Sequence, residues 1–322
     1  MQCPRLDHYV RFHTDGTLTC CGHMVNAQRF NSLQEMQDSN WIQNLKKIFL
    51  DKIWPEECIR CKQTEELGQG SIRLNSIVFD KLQKRPDYLT VGGTLDNTCN
   101  SACQTCNSYL STLIGKLDKT FFTVDNTNKF WSLPQEQIVH LDINGGEPSV
   151  SKNYQDVLDN LPANVRSIRV NTNCASVLKK LEHIAKTGVK VTVTVSLDGI
   201  GKIHNYVRWP IAWDKFYKNL MVYKSMPVTL NTWTTVSALN IGNFGDILDF
   251  VDTHKIDHSW ALLQTPDPFN VRYKNNFTNV SVPGIIQDAV ATGKNNEQEL
   301  LDFIELQDSI RNISYKDYYE AL

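Results

Sequence analysis

No run of apolar residues in this chain approaches the roughly 18 needed to span a bilayer. The opening Met1-Gln2-Cys3-Pro4-Arg5 lacks the apolar stretch of a secretory leader, so a cytoplasmic location is expected. Without such a leader, the Asn-x-Ser/Thr triplets at Asn276, Asn279 and Asn312 are read as chance. The chain also lacks a dominant charge. A net charge of −2 gives no electrostatic reason to expect broad nucleic-acid or membrane binding. Internal repeats and low-complexity tracts are absent. What remains is ordinary for a soluble globular protein, 41% hydrophobic and 21% charged. Its 322 residues suffice for one large α/β domain and a smaller appendage.

What the chain does have is cysteine. Nine thiols in a reducing cytosol are not read as a disulfide framework. Cys3, Cys20, Cys21, Cys58 and Cys61 fall early, Cys99, Cys103 and Cys106 form a tight triplet, and Cys174 stands alone. Two groups of thiols imply two metal centres.

Residues 1–75 are polar, with strand-like pieces at 9–13 and 17–20 and a helical pattern over 32–53. This segment offers little apolar surface for a core of its own, and a metal staple would help it. From residue 88 strand-like runs (88–92, 138–144, 167–171, 190–197, 229–237, 259–263) alternate with amphipathic stretches (102–116, 154–161, 175–186, 213–224, 243–253). Six strands alternating with five helices imply parallel βαβ units, closed into a barrel or left as an open sheet. Either way, sites belong at the C-terminal strand ends. A Pro/Asn-rich stretch, 265–284, and a terminal helical region, 285–322, complete the chain.

The polar motifs fall at those strand ends. Cys99-x3-Cys103-x2-Cys106 follows the first predicted strand. Three thiolates on one loop can hold three irons of a [4Fe–4S] cluster and leave the fourth open; the alternatives are a zinc knuckle or unrelated buried cysteines. Gly145-Gly146-Glu147-Pro148 follows the second strand, where glycines permit close backbone approach and a carboxylate can meet an ammonium group. Read alone, it is first a tight strand-to-helix turn. Cys174 reads as a small buried side chain.

Together these residues resemble the radical S-adenosylmethionine (SAM) superfamily. Cys99–Cys106 matches its CxxxCxxC motif, Gly145–Pro148 its GGEP motif, and Ser196-Leu197-Asp198-Gly199 its S-[IL]-D-G element. The resemblance spans about 88–265. It implies a partial (β/α)6 barrel, a [4Fe–4S] cluster on Cys99, Cys103 and Cys106, and SAM bound to the open iron. Gly145, Gly146 and Glu147 would hold the methionine amino group. Asn171, Asn173, Ser196 and Asp198 would approach the ribose or carboxylate, and Arg208 would pair with the carboxylate or form a structural ion pair. The family often places an aromatic residue before its last cluster cysteine, where this chain has Thr105.

The early cysteines resemble the auxiliary-cluster twitch modules of the SPASM/twitch subgroup. Cys3, Cys21, Cys58 and Cys61 would be the ligands, with Cys20 an alternative to Cys21, and an auxiliary [4Fe–4S] cluster is favoured over zinc. Most such modules follow the barrel, whereas this one precedes it. The expected division is a module over 1–80, a barrel over 81–265 and a pocket-shaping tail over 266–322. The resemblance implies hydrogen abstraction from a peptide or protein side chain, with a flavodoxin or ferredoxin as electron donor. The alternatives are a nucleotide substrate met by Arg272-Tyr273-Lys274, and a zinc-stabilised module without catalysis.

Overall fold

The computed structural model describes residues 1–273 and 296–319. Lys274, the triplets at Asn276 and Asn279, and parts of the two C-terminal stretches lie outside the described residues. In chain order the elements begin α1 (Arg5–His8), β1 (Tyr9–Phe12), β2 (Leu18–Thr19), α2 (Leu33–Asp38), α3 (Asn40–Leu50), α4 (Ile59–Glu66) and α5 (Ile72–Lys81). There follow β3 (Leu89–Thr94), α6 (Thr112–Leu117), α7 (Thr127–Trp131), β4 (Ile138–Asn144), α8 (Lys152–Asp159), β5 (Ser167–Thr172), α9 (Lys180–Lys186) and β6 (Lys190–Ser196). The remainder is α10 (Lys202–Val207), α11 (Trp213–Ser225), β7 (Thr229–Val236), α12 (Phe244–Thr253), β8 (Asp257–Leu262) and α13 (Glu297–Arg311). No helix among the described residues is long and apolar enough to cross a membrane.

Two compact units divide this mixed α/β chain, one of residues 1–97, 124–145 and 152–169, the other of 98–123, 146–151 and 170–322. In the first unit the strand order is β2-β1-β3-β4, followed by the start of β5. β1 and β2 form a hairpin whose turn is held by Asp15, its Oδ1 accepting from the Thr17 N–H and hydroxyl at 2.9 and 2.6 Å. β1 then runs parallel to β3, Tyr9 opposite Thr90 and Phe12 opposite Gly93. Alternation decides which side of β4 is covered: Val139, Leu141 and Ile143 are buried, while His140, Asp142 and Asn144 face the other way, half-buried.

The helix expected over 32–53 is two helices. Ser39 takes an extended conformation (ψ 137°), ending α2, and its Oγ accepts from the Ile42 N–H at 3.2 Å to start α3. A side chain that bonds the backbone better than it continues a helix overrides the periodicity.

The second unit carries the end of β5, then β6, β7 and β8, with β6 parallel to β7 and β7 parallel to β8. α13 seats Leu300 and Ile304 in a core with Tyr206, Val207, Leu239 and Phe269. Two helices are shorter than their patterns. Residues 102–111 are loop and turns, and α6 begins only after Ser111, whose Oγ accepts from the Ile114 N–H at 3.3 Å. α9 starts at Lys180 rather than at 175. Cys174 is left-handed (φ 61°), the Ala175 N–H is taken by Asn173 Oδ1, and the Leu178 N–H is taken by the Tyr223 hydroxyl.

Candidate functional site

Backbone hydrogen bonds hold the triplet loop of the second unit in its turns. The Cys99 N–H donates to Thr112 Oγ1 at 3.2 Å, and the Ser111 hydroxyl donates to the Ser101 carbonyl at 2.6 Å. From the other side, the Ala102 and Gln104 N–H groups donate to the carbonyls of Trp209 and Val207 at 2.8 and 2.9 Å. A continuous helix would need those N–H groups for itself, which is why the expected helix gives way here. Between the thiols sits Ser101, its Oγ 3.3 Å from Cys99 Sγ and 3.5 Å from Cys103 Sγ. Burial pushes the Cys99 thiol up, and Cys103 adds to this. Burial likewise pushes Cys106 up to about 12, aided by Cys103 and Cys99.

Among the described residues, no three His, Cys, Asp or Glu side chains gather closely enough to hold a single metal ion. Tetrahedral zinc, with Zn–S near 2.3 Å, needs its thiols within about 4 Å of one another. Three thiols spread along one pinned loop are instead a donor set suited to three irons of a larger core.

The turn at 145–148 shows what its glycines are for. Gly146 has φ 52°, and a Cβ there would lie 2.2 Å from the Thr98 carbonyl oxygen. The same oxygen accepts from the Glu147 N–H at 2.7 Å. The close backbone approach is thus to the start of the cysteine loop, and only glycine allows it. Gly145, in the first unit, has φ 107°, with Thr94 Cγ2 2.4 Å from its would-be Cβ. Glu147 is 1% exposed. Its Oε1 accepts from Thr172 Oγ1 at 2.7 Å and the Ser149 N–H at 3.1 Å, and its Oε2 from the Asn173 N–H at 2.6 Å. Burial pushes its pKa up against these bonds. Both carboxylate oxygens therefore serve the end of β5.

Asn173 carries that link onward, its Nδ2 donating to Asn100 Oδ1 at 2.9 Å and to Ser101 Oγ at 3.1 Å. Asp198 accepts from the Thr235 N–H at 2.8 Å and pairs with Arg208 at 3.1 Å. Burial opposes the Arg208 charge, yet Cys103, Asp198, Cys99 and Cys106 together hold its pKa above the ordinary value. The structural ion pair is thus present, and it stands beside the thiols. Asn171 is exposed and Ser196 half-buried, and neither side chain makes a hydrogen bond among the described residues. Cys174 is fully buried, its Sγ 3.8 Å from the Phe216 carbonyl, a packing side chain.

In the first unit, Cys3, Cys21, Cys58 and Cys61 line one small cavity together with Arg5 and Arg73. Cys20 is buried and does not line that cavity; its Sγ meets the Sδ of Met24, a lining residue, at 3.7 Å. Burial pushes the Cys3 thiol up to about 12 and raises Cys58 and Cys61 as well. Arg73 is fastened by Glu65 and by the Gln2 carbonyl at 2.9 Å. Arg5 lies 3.4 Å over the Tyr9 ring. Four thiols beside the guanidiniums of Arg5 and Arg73 are a donor set suited to a [4Fe–4S] core of net negative charge, and they do not gather closely enough for a single zinc ion.

No family model and no curated protein matches the chain. Solved structures similar to it include native anSMEcpe with bound AdoMet and Kp18Cys peptide, at 13% identity over 70% of this chain and 62% of that one, TM-score 0.40. Streptococcus suis SuiB bound to precursor peptide SuiA is similar at 13% identity over 91% and 69%, TM-score 0.44. SuiB bound to S-adenosylmethionine is similar at 14% over 94% and 70%, TM-score 0.41. The chain spans 62% of the length of the anSMEcpe chain.

Residues outside the motifs also build the site. Thr172 and Ser101 are small polar residues that nothing in the pattern distinguishes. Arg311 lies 209 positions from Ala102, whose carbonyl it binds. Among the residues considered for a nucleotide, Arg272 pairs with Asp267 and Tyr273 is 1% exposed, its hydroxyl on Asp267 Oδ2 at 2.9 Å. The Arg272 side chain remains partly exposed.

Proposed function

We propose that the chain is a radical SAM enzyme of the SPASM/twitch type acting on a peptide or protein side chain. Cys99, Cys103 and Cys106 would hold a [4Fe–4S] cluster, and Cys3, Cys21, Cys58 and Cys61 an auxiliary one. The observation that carries this reading is the wiring of separate motifs into one site within the second unit. Gly146 and Glu147 abut Thr98, Glu147 fixes Asn173, Asn173 reaches Asn100 and Ser101, and the Arg208–Asp198 pair stands by the thiols. When bound, SAM and the reduced cluster supply a 5′-deoxyadenosyl radical that takes a hydrogen atom from the substrate.

The protein's own part is orientation. Asn171 and Ser196 keep unused polar groups for the ribose or carboxylate of SAM, and Arg208 retains an Nε without a hydrogen-bond partner. The Gly146 carbonyl, rather than any oxygen of Glu147, suits the methionine ammonium, since both Glu147 carboxylate oxygens and its backbone carbonyl are engaged. In this reading residues 1–80 form the auxiliary module, 81–265 the partial (β/α)6 barrel, and 266–322 shape the substrate pocket. A flavodoxin or ferredoxin would supply electrons in the cytoplasm.

The test is anaerobic iron–sulfur reconstitution, followed by an assay of 5′-deoxyadenosine with SAM and a strong reductant. About eight irons per chain and deoxyadenosine formation support both clusters. Zinc without iron and no SAM cleavage would sink the reading.

A further inference from the structure

Arg311 ends α13, and its guanidinium reaches the triplet loop. Nε donates to the Ala102 carbonyl at 2.6 Å and Nη2 to the Cys103 carbonyl at 3.0 Å. Nη1 is spent on its own helix, on the Gln307 carbonyl and Oε1 at 2.9 and 2.8 Å. The residue is 3% exposed. Every one of these acceptors is neutral, and among the described residues no carboxylate pairs with Arg311. The neighbouring Asp308 makes no direct pair with Arg311, accepting from the Tyr206 hydroxyl at 2.8 Å and the Tyr315 N–H at 2.6 Å, although its charge acts on the guanidinium through space. Arg208, by contrast, has Asp198 as its partner.

A buried cation without an ion partner is costly unless some other negative charge answers it. The groups its fork holds in place belong to the loop of Cys99, Cys103 and Cys106. Three thiolates on an oxidised [4Fe–4S] core carry one net negative charge, and reduction adds a second. We infer that Arg311 is a positioning residue for the triplet cluster, clamping the Ala102–Cys103 carbonyls and supplying the positive charge that favours the reduced state. This inference rests on the reading of the triplet as a cluster site. It makes the C-terminal helix part of the redox machinery. The bland alternative is a helix-terminal arginine that satisfies carbonyls and has no electrostatic effect on the cluster.

The experiment uses the full chain, reconstituted anaerobically and titrated with a redox mediator series under electron paramagnetic resonance. The triplet cluster is identified as the signal that changes when SAM is added. Arg311→Gln should lower the reduced-to-oxidised ratio at the wild-type midpoint about tenfold, ~59 mV for one electron. Arg311→Lys keeps the charge and should stay within about threefold, while losing iron faster because the fork is gone. Asp308→Asn should shift the midpoint in the opposite direction. Unchanged midpoints in Arg311→Gln and Asp308→Asn, with the cluster loaded, overturn the inference. If neither Arg311 variant holds iron, Asp308→Asn decides alone, an upward shift supporting the inference and no shift overturning it. A wild-type protein with no SAM-responsive cluster overturns the inference and the reading beneath it together.

Discussion

The two groups of cysteines are built in opposite ways. In the second unit, three thiols come from one short loop, whose backbone is fixed by hydrogen bonds with the Thr112 and Ser111 hydroxyls and the Trp209 and Val207 carbonyls. In the first unit, Cys3 precedes α1, Cys21 follows β2, and Cys58 and Cys61 stand at the start of α4. The tertiary fold alone brings those four to one cavity. A loop held by its own backbone should keep its shape when its thiols are removed. A cavity assembled from distant elements depends on whatever its thiols bind, because metal binding there is also folding energy.

The largest expected effect tests the first half of that contrast. Cys99/Cys103/Cys106→Ala should abolish deoxyadenosine formation while leaving the circular dichroism spectrum and thermal midpoint near wild type. A collapse in stability would mean that the loop needs its metal as much as the cavity does. Next comes Cys58/Cys61→Ser, expected to cost about 4 kcal/mol in denaturant titration. Iron should fall from about eight to about four per chain, with SAM cleavage retained. Full iron in that variant would show that the cavity is not a cluster site.

Acid should weaken the second unit at His204, which is buried against Phe216 (ring centroids 4.2 Å apart). Burial lowers its pKa from 6.5 to about 3. The unfolded chain therefore takes up this proton first as pH falls. The stability His204 contributes is complete above pH 6.5 and is lost as pH falls toward about 3. Between pH 7 and pH 5 that is about 2 kcal/mol. His204→Phe should remove this slope from urea midpoints measured at the two pH values, and an unchanged slope would refute the assignment. The smallest effect is expected of Cys20→Ala, about 1 kcal/mol with unchanged iron, since Cys20 packs behind Met24 and does not itself line the cavity. Loss of iron there would make Cys20 a ligand in place of Cys21.

Period-two alternation recovered β4 residue for residue and placed β5 to β8 within two residues at each end. The helical patterns of α11 and α12 were equally legible, because a covered face imposes its periodicity on the residues themselves. The expected helices that came out broken or short share one cause, while Ile59–Glu66, Ile72–Lys81 and Thr127–Trp131 are helices the pattern did not show. Where a side chain or a distant carbonyl competes for backbone hydrogen bonds, as at Ser39, Ala102, Gln104 and Ala175, the helix yields, and local pattern carries no sign of the competitor.

By itself, the sequence determined the chemistry on offer: a thiol triplet on one loop, paired glycines before an acidic residue, and strands long enough to carry both at their ends. Those are properties of neighbours along the chain. Only the tertiary structure decided that Glu147 spends its carboxylate on Thr172, Ser149 and Asn173. It also decided that Cys21 rather than Cys20 lines the cavity, and that Arg311 closes on the triplet loop. Each of those outcomes depends on which groups lie within about 3 Å of one another in space, a distance that separation along the chain does not predict.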